Sequence, residues 1–530
     1  MRWTHGRWVR IGLMLAALCV PGCFRNEARP VPNVILITLD TFRVDHLSSY
    51  GQRRAQTPEL DQLAAEGVLF ERAQATAAVT PVAHASILTG LNQYRHGLRV
   101  LSALSGFRLP ADVPSVASIL KRGGYRTAAV HSAFPVSAYF GLDQGFDLFE
   151  SFDAELKVEL AEDGSADATG GGRSSWEVKK YQRRSDETTG LVLDYLGGAV
   201  DSGEPFFLWI HYWDPHDPQL LPPLDFPAMP DDLAALAAID PDEQRRLLYA
   251  AEVSYQDQQI GRVLAYLKSS GLAGNSLVIV TADHGEGLLE HGWSSHRILY
   301  EEQIHVPLIV RPPSGTGGRR IDEWVGVVDI APTILDYAGL LESSGGDLDG
   351  KSLRPLIEAA AEDPAGRDGA RRIFYADQLN AYDFNAKMLR RRPQADFLYS
   401  VTRDPFKLIY RPSFFDQSEL YDLRADPAEA HNLWTERLDV RRDLLQELAR
   451  INSWRTSRFP EVEQFGGADR EGARTALSEL GYLAGEAEDA PADPVWAWTC
   501  IDHPDLLLDR RGRCPAEGCN LLLLLRARPE

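Results

Sequence analysis

The sequence predicts an α/β protein with a central, mostly parallel sheet flanked by helices, followed by a smaller C-terminal α+β subdomain. Two observations carry this. The first is a continuous apolar run, Asn33 to Leu39, that ends on Asp40. A run of that kind, without polar alternation, reads as a parallel strand buried on both faces. The second is the recurrence of short β-type runs at Arg126–Val130, Phe206–His211, Leu277–Val280 and Pro307–Val310. Helical patterns such as Pro58–Gly67 and Tyr249–Leu267 lie between them, and such alternation implies a sheet covered by helices.

The ends of the chain read differently. Arg2, Arg7 and Arg10 precede the apolar stretch Ile11–Val20, which is too short to span a bilayer and closes on Val20-Pro21-Gly22-Cys23. That is the pattern of a secretory signal, and its final Cys resembles a bacterial lipobox. The expected parts are therefore a lipoprotein signal peptide over 1–22, a tether over 23–32 and a main domain over 33–349. A C-terminal subdomain over 350–483, a linker over 484–495 and a Cys/His tail over 496–526 follow. Lipidation of Cys23 would place the protein in the cell envelope, anchored to a membrane. The Gly/Ser/Asp-rich stretch Ala161–Ser175 reads as a surface insertion, and Ala484–Pro494 as the linker.

The chain has 530 residues, 44% hydrophobic and 25% charged, with a net charge of −21. The acidity argues against a nucleic-acid partner. Of five cysteines, two sit in the signal region and three near the C-terminus, so the body does not rely on disulfides.

Three segments concentrate chemistry-bearing groups: Leu39-Asp40-Thr41-Phe42-Arg43, Thr80-Pro81-Val82-Ala83-His84 and Thr281-Ala282-Asp283-His284-Gly285-Glu286. The first and third follow apolar strands. Asp40, Asp283 and His284 should thus gather at one sheet edge, where open α/β sheets bind ligands. Two carboxylates and an imidazole suit a divalent cation. A hydroxyl such as that of Thr80, held by the same cation, would lose its proton more easily. Each segment also has a plainer reading: Asp40 as a turn former, Asp-His-Gly as a turn, Thr80 as a helix opener.

Taken together, these segments resemble the sulfatase family, within the alkaline phosphatase superfamily. Thr57-Pro58-Glu59-Leu60-Asp61, Ala85–Gly90, Tyr94-Arg95-His96-Gly97, Val306-Pro307-Leu308, Asp329–Thr333 and Leu420-Tyr421-Asp422-Leu423 with Asp426-Pro427 extend the match. The resemblance implies an alkaline-phosphatase-like fold. It also implies a hydrolase of anionic esters with one divalent metal (calcium, manganese, magnesium or zinc) held by Asp40, Thr80, Asp283 and His284. Its substrates would be anionic esters, glycan or lipid among them.

The departures from the family pattern alter the expected chemistry. Thr80 stands where a sulfatase has the Cys or Ser that becomes formylglycine, so no formylglycine is expected. His84 replaces the motif's Arg, His296 a Lys, and Thr41 the second Asp of a pair. His131-Ser132-Ala133-Phe134 replaces Gly-Lys-Trp-His. The motif resembles a subgroup with a Thr nucleophile. His216 falls on the family's Pro-His motif, where it would protonate the leaving oxygen; His84 and His296 are catalytic candidates by position, with His211, His46 and His291 behind them. A plain Thr ester cannot collapse to an aldehyde, so water or an alcohol must attack its central atom, which tilts the expectation toward phosphate over sulfate. Fewer positive charges than in a sulfatase pocket point to a monoanionic diester. Two other readings stand beside the hydrolase: a phospho-alcohol transferase acting on envelope glycan or lipid, and a non-catalytic protein binding anionic glycans.

The tail holds Cys500, His503, Cys514 and Cys519. It resembles a short heavy-metal-binding module, with Glu517 and Cys519 departing from it. Zinc binding and a disulfide are both open readings.

Overall fold

The structure is a computed structural model. It describes residues 31–452, apart from 53, 102–106, 151–180, 217–219, 230–235, 237, 360–371 and 384–385, together with strands 495–499 and 522–526. The signal, the tether as far as residue 30, the Ala161–Ser175 insertion, the linker as far as residue 494 and the tail residues Cys500, His503, Cys514 and Cys519 lie outside the described residues. Among the described residues, no helix is long and apolar enough to cross a membrane.

Eight strands form the main sheet in the order β4-β3-β5-β1-β6-β7-β2-β8. They are β1 Asn33–Leu39, β2 Val68–Gln74, β3 Arg126–Val130, β4 Leu148–Glu150, β5 Phe206–Tyr212, β6 Ser276–Ala282, β7 His305–Arg311 and β8 Arg319–Gly326. From β4 to β6 every pairing is parallel. β7 runs antiparallel to both β6 and β2, so the sheet is mixed toward that edge. Strands β1, β5 and β6 are buried along their whole length, which is why they read as unbroken apolar runs.

Register places the site. Leu39 pairs with Tyr212 of β5 and with Ala282 of β6, so all three strands end level. The Asp40 amide donates to Tyr212 O at 2.8 Å, and the Asp283 amide to Leu39 O at 3.3 Å. The helix Thr80–Thr89 delivers Thr80, and all ten of its residues are buried. It stops at Gly90, whose φ of 70° is the left-handed cap most residues avoid. A Cβ there would come within 3.1 Å of Pro332.

The C-terminal part is a four-stranded antiparallel sheet in the order β12-β11-β10-β9, made of Phe374–Gln378 (β9), Leu398–Arg403 (β10), Phe406–Tyr410 (β11) and Glu419–Asp422 (β12). The helix Leu438–Ile451 buries Val440, Leu444, Leu445 and Leu448 in a core shared with Leu408 and Tyr410. Buried charge ties the subdomain to the short helix Glu301–Ile304 that precedes β7. The Lys407 ammonium is fully enclosed, 2.8 Å from Glu301 and 2.9 Å from Glu429. Strands Val495–Thr499 and Leu522–Arg526 pair antiparallel on either side of the Cys/His segment.

Gly90→Ala is expected to cost about 1–2 kcal/mol by forcing a Cβ into the left-handed region. Gly198→Ala, in an open position of the helix Ser185–Ser202, is expected to add up to about 1 kcal/mol. Urea midpoints of the two variants check both signs.

Candidate active site

Asp40, Asp283 and His284 lie together at the ends of β1 and β6, all fully buried. One ligand-type atom from each lies within 4.8 Å of the other two. The surrounding protein uses the remaining atoms of these groups. Asp283 Oδ1 accepts from the amides of Thr41 (3.2 Å) and His284 (2.7 Å). His284 Nδ1–H donates to Gly285 O at 2.9 Å, which leaves Nε2 as the acceptor. His211 Nδ1 accepts from the Ser132 amide at 3.4 Å, so its Nε2–H donates to Asp40 Oδ2 at 3.1 Å. Asp40 Oδ1 and Asp283 Oδ2 are buried and have no hydrogen-bond partner. Two orphaned carboxylate oxygens beside an imidazole lone pair are the donor set a divalent cation satisfies.

The electrostatics agree. Burial, then the charges of Asp283 and Glu286, push the Asp40 carboxyl well above its usual range. Burial does the same to Asp283. Two such carboxylates cannot both ionise without a positive partner.

Thr80 Oγ1 lies 3.4 Å from His284 Nε2. The helix cap is Val79, with no side-chain cap bond, so the Thr80 hydroxyl is not spent as a cap. It sits at the positive end of a ten-residue helix, which favours a developing alkoxide. One turn on, His84 Nδ1–H donates to Thr80 O at 2.8 Å. His84 Nε2 accepts at 3.0 Å from Thr38, whose oxygen in turn accepts from Trp209 Nε1 at 2.9 Å. Both ring nitrogens of His84 are thus committed within the protein, and burial holds its pKa at about 4. This neutral imidazole orients the backbone of Thr80.

A second group of rings lies beside His284. His296 lies 4.9 Å from His284 and 5.2 Å from His216, centroid to centroid. His216 stacks on Trp213 at 3.8 Å. His296 Nδ1 is 3.5 Å from Glu286 Oε2. Burial, then the neighbouring His296, keeps His216 well below the usual imidazole range. The candidates His46 and His291 are committed elsewhere. His46 bonds Asp45 at 2.9 Å and meets Tyr249 edge-on. His291 stacks on Tyr300 at 3.7 Å and bonds Glu302 at 2.9 Å.

Some site residues had weak or no sequence signal. Thr38 and Trp209 read only as strand residues. Glu286 followed Asp-His-Gly but carried no assigned role, although its Oε1 accepts from the Gly287 amide at 2.9 Å and its charge acts on Asp40. Gly285 is needed because a Cβ there would strike Glu302 O at 2.2 Å. A wide cleft of about 960 Å³ lies beyond Arg43, walled by pairs such as Arg72–Asp322 and Arg320–Glu71, and none of Asp40, Thr80, Asp283 or His284 lines it.

A mixed sheet with an acid–imidazole cluster at its carboxyl edge, facing a helix-borne hydroxyl, defines an alkaline-phosphatase-like ester hydrolase. Residues 32–340 match the sulfatase family, and residues 289–453 match a C-terminal region described as that of N-sulphoglucosamine sulphohydrolase. The chain therefore belongs to the sulfatase family. It is 26% identical over 512 residues to an N-acetylglucosamine-6-O-sulfatase of Bacteroides thetaiotaomicron, covering 80% of this chain and 86% of that protein. It is 26% identical over 479 residues to an arylsulfatase of Clostridium perfringens, covering 79% and 94%. Among solved structures, a complex with D-glucosamine-2-N,6-O-disulfate superposes with a TM-score of 0.59 at 23% identity, covering 79% of this chain and 97% of that one. A phosphonate monoester hydrolase of Agrobacterium radiobacter gives 0.59 at 24% identity, covering 82% and 100%.

His211→Ala removes the donor that fixes Asp40 Oδ2. It is expected to weaken manganese binding about 10–100-fold, as read by calorimetry on the purified protein.

Proposed function

We propose that this protein hydrolyses sulfate or phosphate esters through a covalent intermediate on Thr80. The observation that carries this reading is the 3.4 Å approach of Thr80 Oγ1 to His284 Nε2, beside two carboxylate oxygens without hydrogen-bond partners. Asp40, Asp283 and His284 would hold a divalent cation there. Such a cation neutralises ester charge and eases deprotonation of a bound hydroxyl.

The chain's own residues supply the rest. Thr80 Oγ1 gives up its proton to water and attacks the central sulfur or phosphorus, and the bond to the leaving alcohol breaks. His216 passes a proton to the departing oxygen. An anionic ester beside the ring favours its protonated form, against the burial that otherwise holds it neutral. His84 keeps the Thr80 backbone in place, and His211 keeps Asp40 turned. Water then attacks the central atom of the Thr80 ester and restores the hydroxyl. Thr80 bears no second oxygen through which the ester could collapse, so the hydrolytic step needs an external nucleophile. The relatives that act on sulfated sugars support a glycan as the ester's alcohol. The lipobox-like Val20-Pro21-Gly22-Cys23 supports an envelope location.

Thr80→Ala is expected to lower turnover by on the order of 10⁴–10⁶-fold with unfolding behaviour unchanged, and Thr80→Ser to retain part of it. The assay is a panel of 4-nitrophenyl sulfate, 4-nitrophenyl phosphate and bis(4-nitrophenyl) phosphate with calcium, manganese, magnesium or zinc. Intact-mass analysis of quenched wild-type enzyme should show one sulfuryl or phosphoryl adduct, absent from Thr80→Ala. Undiminished turnover by Thr80→Ala would remove the proposal.

A further inference from the structure

Trp209 and His211 stand two residues apart on β5, so their side chains leave the same face of the sheet. Each sends an N–H across to the neighbouring strand β1. His211 donates to Asp40 Oδ2 at 3.1 Å. Trp209 Nε1–H donates to Thr38 Oγ1 at 2.9 Å. Thr38 is in register with His211, and Leu36 with Trp209, so the indole reaches diagonally along β1. The Thr38 oxygen lies 3.0 Å from His84 Nε2, and His84 Nδ1 lies 2.8 Å from Thr80 O. Thr38, His84 and Trp209 are all fully buried, which shields these bonds from bulk solvent.

The chemistry of the groups gives this chain one direction. An indole N–H only donates, and a carbonyl oxygen only accepts. His84 therefore carries its proton on Nδ1. With one proton on the ring, Nε2 is bare and accepts the Thr38 hydroxyl hydrogen, while the Thr38 oxygen takes the indole N–H. Flipping the ring or turning the hydroxyl would set two donors or two acceptors face to face. The start of the helix Thr80–Thr89 lacks other side-chain support. Val79 makes no side-chain cap bond, and Pro81 has no N–H to offer. The far end of the chain is anchored: the Trp209 ring packs 5.9 Å from Phe146 and 6.4 Å from Phe149, centroid to centroid. The near end stands beside the acidic cluster, with His84 Nδ1 3.6 Å from Asp283 Oδ2.

We propose that Trp209 and Thr38 are positioning residues for Thr80. The indole N–H orients the Thr38 hydroxyl, the hydroxyl fixes the tautomer and plane of His84, and His84 clamps the Thr80 carbonyl so that Oγ1 keeps its aim. One face of β5 thus serves the site through two arms. The His211 arm holds a carboxylate of the acidic cluster, and the Trp209 arm holds the hydroxyl that attacks. This rests on the reading of Thr80 as the attacking group.

The two arms predict separate signatures in the full-length, manganese-loaded protein. Trp209→Phe keeps an aromatic ring and loses the donor. It should lower kcat for 4-nitrophenyl sulfate or bis(4-nitrophenyl) phosphate about 10–100-fold, as small misplacements of a reacting atom do. KM, and manganese affinity by calorimetry, should stay within about 2-fold of wild type. That is the reverse of His211→Ala, whose loss falls on manganese binding. Thr38→Val, close in shape but without the hydroxyl, should lose kcat in the same way, and Thr38→Ser should recover most of it. An unchanged kcat in Trp209→Phe would overturn the inference. So would kcat and manganese affinity falling together, the mark of a loosened core. Should Trp209→Phe not fold, the two Thr38 variants decide it: loss with Val and recovery with Ser support the proposal, and any other pairing contradicts it. Undiminished turnover by Thr80→Ala would overturn the underlying reading instead.

Discussion

Two carboxylates, Asp40 and Asp283, are enclosed at the ends of adjacent strands, and each keeps one oxygen without a hydrogen-bond partner. Buried like charges are costly unless a positive partner joins them or a proton neutralises one. The neighbourhood accommodates this conflict without removing it. Thr41 and His284 amides take up one side of Asp283, and His211 takes up one side of Asp40. No lysine or arginine is hydrogen-bonded to either carboxylate among the described residues.

The scaffold explains how groups from distant segments converge. β1 lies between β5 and β6, and all three run parallel and end level, so Asp40, His211 and Asp283 become neighbours although the latter two lie far along the chain. The helix Thr80–Thr89 contributes the hydroxyl and the positive end of its backbone. The C-terminal sheet takes part at a distance. It fixes the Glu301 region through Lys407 and pins Arg297 through Asp383 and Asn380.

Much of this was legible in the residues. The runs ending on Asp40 and Asp283 read as buried parallel strands because they are enclosed on both faces, and that placed the two carboxylates on one edge. The motif spacing carried the family resemblance, and the match over 32–340 bears it out. Other features were not legible. The run around Pro307 reads as a strand, but nothing local to it says that β7 lies antiparallel, since strand direction is set by the connection and its neighbours. His84 and His216 both read as catalytic candidates from their places in motifs. Only tertiary contacts show that one has both nitrogens committed beneath Thr80 while the other stacks on Trp213 near His296.

The central claim is that a divalent cation joins Asp40, Asp283 and His284 to the hydroxyl of Thr80. Anomalous diffraction from manganese-soaked crystals tests it most directly. The account predicts one strong peak about 2.0–2.3 Å from a carboxylate oxygen of each Asp, from His284 Nε2 and from Thr80 Oγ1. A metal-saturated crystal with no peak there, or with a peak that leaves Thr80 out of reach, would contradict it.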